Sequence, residues 1–470
     1  MNRVESRKSL DKKFSDQQRD VDTQDSVSTS SSTTSVVDEL SQLRASLLGR
    51  LYINHIKTIP LARNLVIWLW RNCYPKYLHY RAFIFNRQNN RSKPLITLKE
   101  FAKTQETSVI KILNAEVIET PAPKVFPAKH RNLLVAPHDR YRFPEVFITT
   151  IKNATIYGGT NLTLVDSGVI CHDLYNFKSD YTSEELHHRV IINHKKNSVR
   201  WMLQDKSPQN APKVASFIDA CAPNYAHWLT EVLPRIAVFC SVGELSEIPI
   251  VVNTGLHKNI MESLYLIAKN REIITLPIGA ALIVDELYCT SVAGYVPFER
   301  RSKKVISNSH GLFSRQAFQM FKGQINSQRH ALVKEGDLPR KIYIRRNSGI
   351  RKVTNSTQVE RFLQAQGYTI VEPEKMNFLQ QVQLFSHAEF VIGSSGAALA
   401  NLIFCPKNAK IVILIGKYPD TSYWYWQNIA CASGNVIRYI FGKITTTNVG
   451  IHADFEIDLD DLASALDGAD

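Results

Sequence analysis

The sequence predicts an α/β protein with two strand–helix alternations, an added β-hairpin region and a helical N-terminal extension. Three observations carry this. Residues 214–289 alternate β-rich and helix-periodic runs. Residues 341–415 do so again with short connections, which calls for a parallel sheet. Between about 95 and 193, short β-rich runs such as Ala154-Thr155-Ile156-Tyr157 and Leu162-Thr163-Leu164-Val165 are punctuated by the turn signals Gly158-Gly159 and Asp166-Ser167-Gly168.

Taken in order, residues 1–40 are dominated by Ser, Thr, Asp and Lys, a composition that cannot offset its ordering entropy, and are expected to be a disordered tail. Residues 41–95 read as helical. Leu65-Val66-Ile67-Trp68-Leu69-Trp70 is flanked by Arg63, Arg71, Lys76 and Arg81. The run is too short to cross a bilayer, which takes roughly 20 apolar residues. It suits either a peripheral contact of residues 60–85 with an anionic membrane or a helix packed on the main domain. Residues 96–300 form the first lobe, with strands expected at 132–136, 214–218, 248–252, 272–276 and 283–289 and helices at 225–240 and 257–268. Charged, helical residues 301–340 link the lobes. Residues 341–445 form the second lobe, with strands at 341–344, 368–371, 390–392 and 410–415. Its helices are expected at 356–366, ending at Gly367, then at 378–385, capped by Asn377, and at 397–404. Residues 446–470 are left as a tail.

Composition narrows the function classes. Among 470 residues, 44% apolar and 21% charged content suits an ordinary globular chain. The formal charge of +14 favours phosphorylated ligands, polyanions or anionic surfaces. No nucleic-acid module accompanies it, and the basic residues are dispersed, so a nucleic-acid partner is not expected. Seven scattered cysteines without a Cys-x-x-Cys pair argue against a disulfide framework or zinc site and for a reducing, cytoplasmic setting. The polar, charged N-terminus shows no secretory signal.

Three stretches carry the chemistry. In Asn224-Tyr225-Ala226-His227-Trp228-Leu229-Thr230-Glu231-Val232-Leu233-Pro234-Arg235, Leu229, Val232, Leu233 and Ile236 share one helical face. His227, Glu231 and Arg235 lie opposite. They are either a solvated stripe with a Glu231–Arg235 ion pair or an acid/base group at a cleft. Tyr343-Ile344-Arg345-Arg346-Asn347-Ser348-Gly349-Ile350-Arg351-Lys352 runs from a strand into a loop loaded with guanidinium groups, which suit bidentate phosphate recognition. Phe390-Val391-Ile392-Gly393-Ser394-Ser395-Gly396-Ala397 is a strand entering a small-residue loop and then a helix, where backbone N–H groups can meet a phosphate. It has neither the Lys-Ser/Thr ending of a Walker loop nor the third glycine of a dinucleotide fingerprint.

Together these stretches resemble glycosyltransferase family 61. The matching set is His227-Trp228 with Glu231-Val232-Leu233-Pro234-Arg235, then Tyr343-Ile344-Arg345-Arg346 with Asn355, then Gln381, Phe385, Ala388, Ile392-Gly393, Gly396-Ala397, Leu399, Asn401, Phe404 and Pro406. Order and spacing fit over about residues 130–440. The resemblance implies a GT-B-like fold, two Rossmann-like lobes facing a cleft. It also implies an inverting hexosyl- or pentosyltransferase with a nucleotide-sugar donor, expected to be UDP-linked, and no bound metal or other cofactor. Arg345, Arg346, Gly393, Ser394, Ser395, Gly396 and Ala397 would then hold the donor diphosphate, and Asn355, Gln381 and Asn401 would support the donor lobe. His227 or Glu231 would take the proton of a glycan or lipid-linked acceptor. Capsule or other cell-surface polysaccharide assembly at the inner membrane face is the implied setting. The family usually carries His where this chain has Ser395 and Gly where it has Ala398. That difference keeps a second reading open, a non-catalytic sugar- or nucleotide-binding protein.

Overall fold

The computed structural model describes residues 92–133, 140–187, 189–205, 207–297, 299–300, 311–332, 338–347, 350–417, 424–445 and 453–467, with single positions between 59 and 77. The expected tail at 1–40, and nearly all of the segment with two readings at 41–91, lie outside the described residues. Among the described residues, no helix is long and apolar enough to cross a membrane.

The first sheet is built on β1 (Val146–Tyr157), β2 (Gln209–Ser216), β3 (Ile250–Asn253), β4 (Ile273–Leu276) and β5 (Ala281–Thr290). β4, β3, β2 and β5 are parallel neighbours in that order, so the first parallel strand in sequence lies between the second and the fourth. β1 pairs antiparallel with β5 and continues into the expected hairpins, Thr163–Val165 and Gly168–Cys171. Every strand of this alternation appears within a few residues of its expected position. Asn132 and Leu133 differ. They belong to the 3₁₀ turn Ala128–Leu133, which is held against the second sheet by the His130 ring, edge-on to Phe441 at 6.2 Å.

The helical segment after β2 begins at Tyr225–His227, continues as a π turn over Trp228–Val232 and ends as α1 (Leu233–Cys240). Pro234 explains the wide turn. It has no N–H, and in a regular helix its ring would meet the Thr230 carbonyl. The Leu233 N–H reaches back to the Trp228 carbonyl instead. The Thr230 carbonyl has room because residue 294 is Gly, where a Cβ would overlap that oxygen. The segment is buried all round: Trp228, Leu229, Thr230, Val232, Leu233 and Ile236 are fully enclosed. Buried Trp228 donates its Nε1–H to Ser263 at 2.8 Å, in α2 (Lys258–Ala268).

The expected inter-lobe linker contains α3 (Arg315–Leu332). It bridges the halves: Gln324 donates to the Ala237 carbonyl on α1 at 2.9 Å, and Lys322 donates to the Cys405 carbonyl beyond the second sheet.

The second sheet comprises β6 (Lys341–Ile344), β7 (Thr369–Val371), β8 (Phe390–Ser394), β9 (Lys410–Gly416) and β10 (Val436–Ile444), all parallel in the order β7-β6-β8-β9-β10. Between them stand α4 (Ser356–Ala365), α5 (Phe378–His387) and the 3₁₀ helix Ala397–Phe404. Gly367 follows α4 with φ +79°, the left-handed conformation that closes a helix. Asn377 caps α5 through a reciprocal pair of bonds with Gln380. Two strands from elsewhere complete the sheet. Lys124–Phe126 pairs parallel with β10, and Phe455–Glu456 pairs antiparallel with its end. Residues 446–470, expected as a tail, thus contribute a strand and a helix to this half. Phe455, Ile457, Leu462 and Ala465 are buried with Ile392, Leu414 and Ile440. One continuous core runs between the halves, from Trp228 and Leu233 to Leu399, Phe404 and Ile429.

Candidate active site

The strand order of the second sheet reverses between β6 and β8, and open α/β sheets bind ligands outside the carboxyl ends at such a point. Register places Ile344 beside Gly393, so Arg345-Arg346 and Ser394-Ser395-Gly396 leave the sheet side by side. Of these, Ser395 and Gly396 face the Tyr225–Val232 segment of the first half across a cleft of about 280 Å³, near the roughly 300 Å³ lower end of ligand pockets. Asn224, His227 and Val296 line one wall, and Arg351, Ser395, Gly396, Ala397, Tyr425 and Trp426 line the other.

On the first wall, His227 Nδ1 hydrogen-bonds Glu231 Oε1, and Glu231 Oε2 accepts the Val296 backbone N–H at 2.9 Å. His227 reaches the cleft; Glu231 stands behind it, 9% exposed. Burial works against the imidazolium. The Glu231 carboxylate, by charge and hydrogen bond, with Asp219 beyond it, more than offsets this and raises the His227 pKa. Burial pushes the Glu231 carboxyl up, against the pull of His227. The result is a largely buried, hydrogen-bonded imidazole–carboxylate pair with the ring at the cleft. The expected stripe of His227, Glu231 and Arg235 is divided. The π turn adds a residue to the helical turn and swings Arg235 away into a separate cavity beside β2.

On the second wall, Ser395 Oγ accepts from Trp426 Nε1 at 3.0 Å and from Arg351 Nη1 at 3.4 Å, leaving its own proton to donate. Gly396 caps the 3₁₀ helix Ala397–Phe404 with no side-chain cap bond, so Gly396 and Ala397 present backbone at the cleft. A Cβ on Gly396 would overlap Arg346 Nη1, so glycine lets that guanidinium lie against the loop. Burial, then repulsion from Arg351, lowers the Arg346 pKa to about 10. Two crowded guanidinium groups beside a helix start favour an anion. Arg351 has φ +56°, a left-handed backbone that costs a non-glycine residue roughly 1–2 kcal/mol and that aims its side chain at Ser395.

The remaining expected residues are placed differently. Arg345 turns away from the cleft, bonding Glu360 at 2.8 and 2.5 Å with Glu372 at 3.7 Å. Successive residues leaving a strand point to opposite sides, and the acids of α4 and of the segment after β7 lie on the Arg345 side. Gly393 is buried inside the sheet, where a Cβ would press on Ile344 at 3.1 Å, and Ser394 is buried beside it. Asn355 clamps the Ile457 backbone by two bonds, at 2.8 and 3.0 Å. Gln381 and Asn401 are joined at 2.8 Å, and Asn401 accepts from Tyr225 across the halves. Arg351, Tyr425 and Trp426 were not singled out from the sequence. Arg351 lies within the guanidinium-rich stretch, but its aim depends on the backbone turn. Tyr425 and Trp426 sit on α6 (Trp424–Ser433), where an aromatic run reads as core.

Fold and site together define an α/β protein whose two sheets share one cleft, with a buried imidazole–carboxylate pair facing an anion-favouring loop. Over residues 225–412 the chain matches the family model for Glycosyltransferase 61, so this stretch is similar to a glycosyltransferase family 61 domain and supports a sugar-transferase reading of the cleft. The match takes in His227 and Val296 on one wall and Arg351, Ser395, Gly396 and Ala397 on the other. No curated protein matches the chain.

Proposed function

We propose that the cleft is the active site of an inverting transferase of GT-B-like arrangement. It moves a hexosyl or pentosyl group from a nucleotide-sugar, UDP-linked, to a hydroxyl of a glycan or lipid-linked acceptor. The observation that carries this is the pairing of His227 and Arg351 on opposite walls of one cleft. The neutral His227 ring donates Nδ1–H to Glu231, leaving the Nε2 lone pair for the acceptor proton. Glu231 has one oxygen on His227 and one on Val296, so it orients the base rather than acting as it. In one displacement the acceptor oxygen, losing its proton to Nε2, bonds the anomeric carbon as the bond to the diphosphate oxygen breaks. Arg346, Arg351, the Ser395 hydroxyl and the N–H groups of Gly396 and Ala397 meet the charge that develops on the leaving diphosphate. In this reading they take the part a bound metal would play. The setting that fits such chemistry is assembly of a cell-surface polysaccharide on the cytoplasmic side of a membrane.

The test is nucleoside diphosphate release from a panel of nucleotide sugars with candidate acceptors. Turnover with one donor, reduced roughly 10²–10⁴-fold in His227→Ala and strongly reduced in Arg351→Ala, is expected. A panel with no turnover and no donor binding would falsify the reading.

A further inference from the structure

The first sheet has a switch point of its own, between β2 and β5, and a second cavity of about 40 Å³ lies there. Arg235, His172, Ser216 and Thr290 contribute polar groups to its lining, and no carboxylate lines it. Arg235 is 8% exposed, and its buried Nη2 meets no hydrogen-bond partner among the described residues. Its guanidinium stands over the Phe217 ring, 5.9 Å from the centroid. The Thr290 hydroxyl is likewise buried without a partner among the described residues.

A guanidinium stays charged at any pH a protein survives, and burying it without a counter-charge is strongly unfavourable. His172 supplies no compensation. Its Nδ1 accepts the Leu174 N–H at 3.2 Å, which leaves the ring proton on Nε2. Burial, then Arg235, lowers its pKa, so it stays neutral and adds an N–H donor. The cavity therefore offers one positive charge and donors.

We propose that this cavity binds a carboxylate, with Arg235 as its counter-charge and Thr290 as a hydroxyl donor. One guanidinium balances a singly charged, planar carboxylate, whereas a phosphate dianion would need a second cation. The carboxylate belongs either to a free small acid or to an acidic sugar. The site does not depend on the transferase reading, because it rests on the buried charge alone.

The test is thermal unfolding of the full chain titrated with acetate, glucuronate, inorganic phosphate and chloride at constant ionic strength. A saturable rise in melting temperature with acetate or glucuronate, exceeding that with phosphate or chloride, is expected. Glucuronate acting at roughly tenfold lower concentration than acetate assigns an acidic sugar, and equal action assigns a free carboxylate. Arg235→Leu is expected to lose the response. Thr290→Asp, which places a carboxylate in the cavity, is expected to raise the melting temperature of the ligand-free protein and also lose the response. Thr290→Asp decides the matter should Arg235→Leu fail to fold. No carboxylate response in the wild type, a phosphate response of equal size, or a response retained in Thr290→Asp overturns the proposal.

Discussion

Tyr225 donates its hydroxyl to Asn401 Oδ1 at 2.9 Å, joining residues 176 positions apart. Tyr225 opens the helical segment that carries His227, and Asn401 lies in the helix that starts at Gly396. Asn401 also donates to Gln381 at 2.8 Å, so one buried chain of hydrogen bonds sets the distance between the two walls. Two of the three residues expected to support the donor lobe, Gln381 and Asn401, thus join it to the opposite wall.

Removing the hydroxyl should loosen this link. In Tyr225→Phe the buried Asn401 oxygen loses its donor, which costs roughly 1–3 kcal/mol. Denaturant unfolding should show the midpoint falling with an unchanged slope. An unchanged midpoint would mean that the packing around Trp228 alone fixes the halves.

The His227–Glu231 pair sets a pH dependence whose direction follows from its surroundings. Proton acceptance needs neutral His227, and Glu231 raises the pKa of the ring. The acid limb of kcat/KM should therefore lie above the ordinary histidine value, with activity rising as pH rises through it. In Glu231→Gln the carboxylate charge is gone and burial dominates, so the limb should move to lower pH while the plateau falls. His227→Ala should lose roughly 10²–10⁴-fold in turnover. A limb in Glu231→Gln at the wild-type pH would show that another group titrates there.

The sequence made the two alternations legible because most of the parallel strands carry a short apolar run and most helices a recognisable period or cap; β2 is an exception, its residues 209–213 being largely polar. That Arg345-Arg346 and the Ser395-Gly396 loop follow the ends of strands could be read from the sequence, whereas their meeting at a switch point follows from the pairing of β6 with β8. What could not be read was direction. The π turn that divides His227 from Arg235 depends on Pro234, Thr230 and Gly294 acting together, and Gly294 is 60 or more residues away in sequence. Arg345 and Arg346 look alike in sequence; acids at Glu360 and Glu372 draw one of them off. Strand Lys124–Phe126 joins the far sheet through a register that no local pattern announces.

Those arginine placements are separable by binding. Arg351→Ala should weaken a nucleoside diphosphate by roughly ten- to a hundredfold, as expected for a charge-assisted hydrogen bond of about 1.5–3 kcal/mol. Arg346→Ala should act in the same direction. Arg345→Ala should leave the affinity near wild type and cost stability of about 0–1 kcal/mol, the usual worth of a partly exposed ion pair. Calorimetric titration with UDP would check all three. A large loss confined to Arg345→Ala would reverse the assignment.

Gly294 gives the sharpest structural test of the base. A Cβ there would strike the Thr230 carbonyl, a backbone atom that no rotamer change can move. Two residues on, the Val296 N–H holds Glu231 Oε2. Gly294→Ala must therefore push strand Gly294–Tyr295 off the π turn, and overpacking of this kind costs roughly 1–3 kcal/mol. The same shift draws Val296 from Glu231, so the carboxylate loses the bond that fixes it behind His227. Turnover should fall by more than the loss of folded protein explains, while UDP affinity, set on the other wall, stays near wild type. Measuring kcat and UDP binding on the folded fraction separates the two effects. A variant whose UDP affinity fell together with kcat would show that Gly294 acts on the whole cleft rather than on the base.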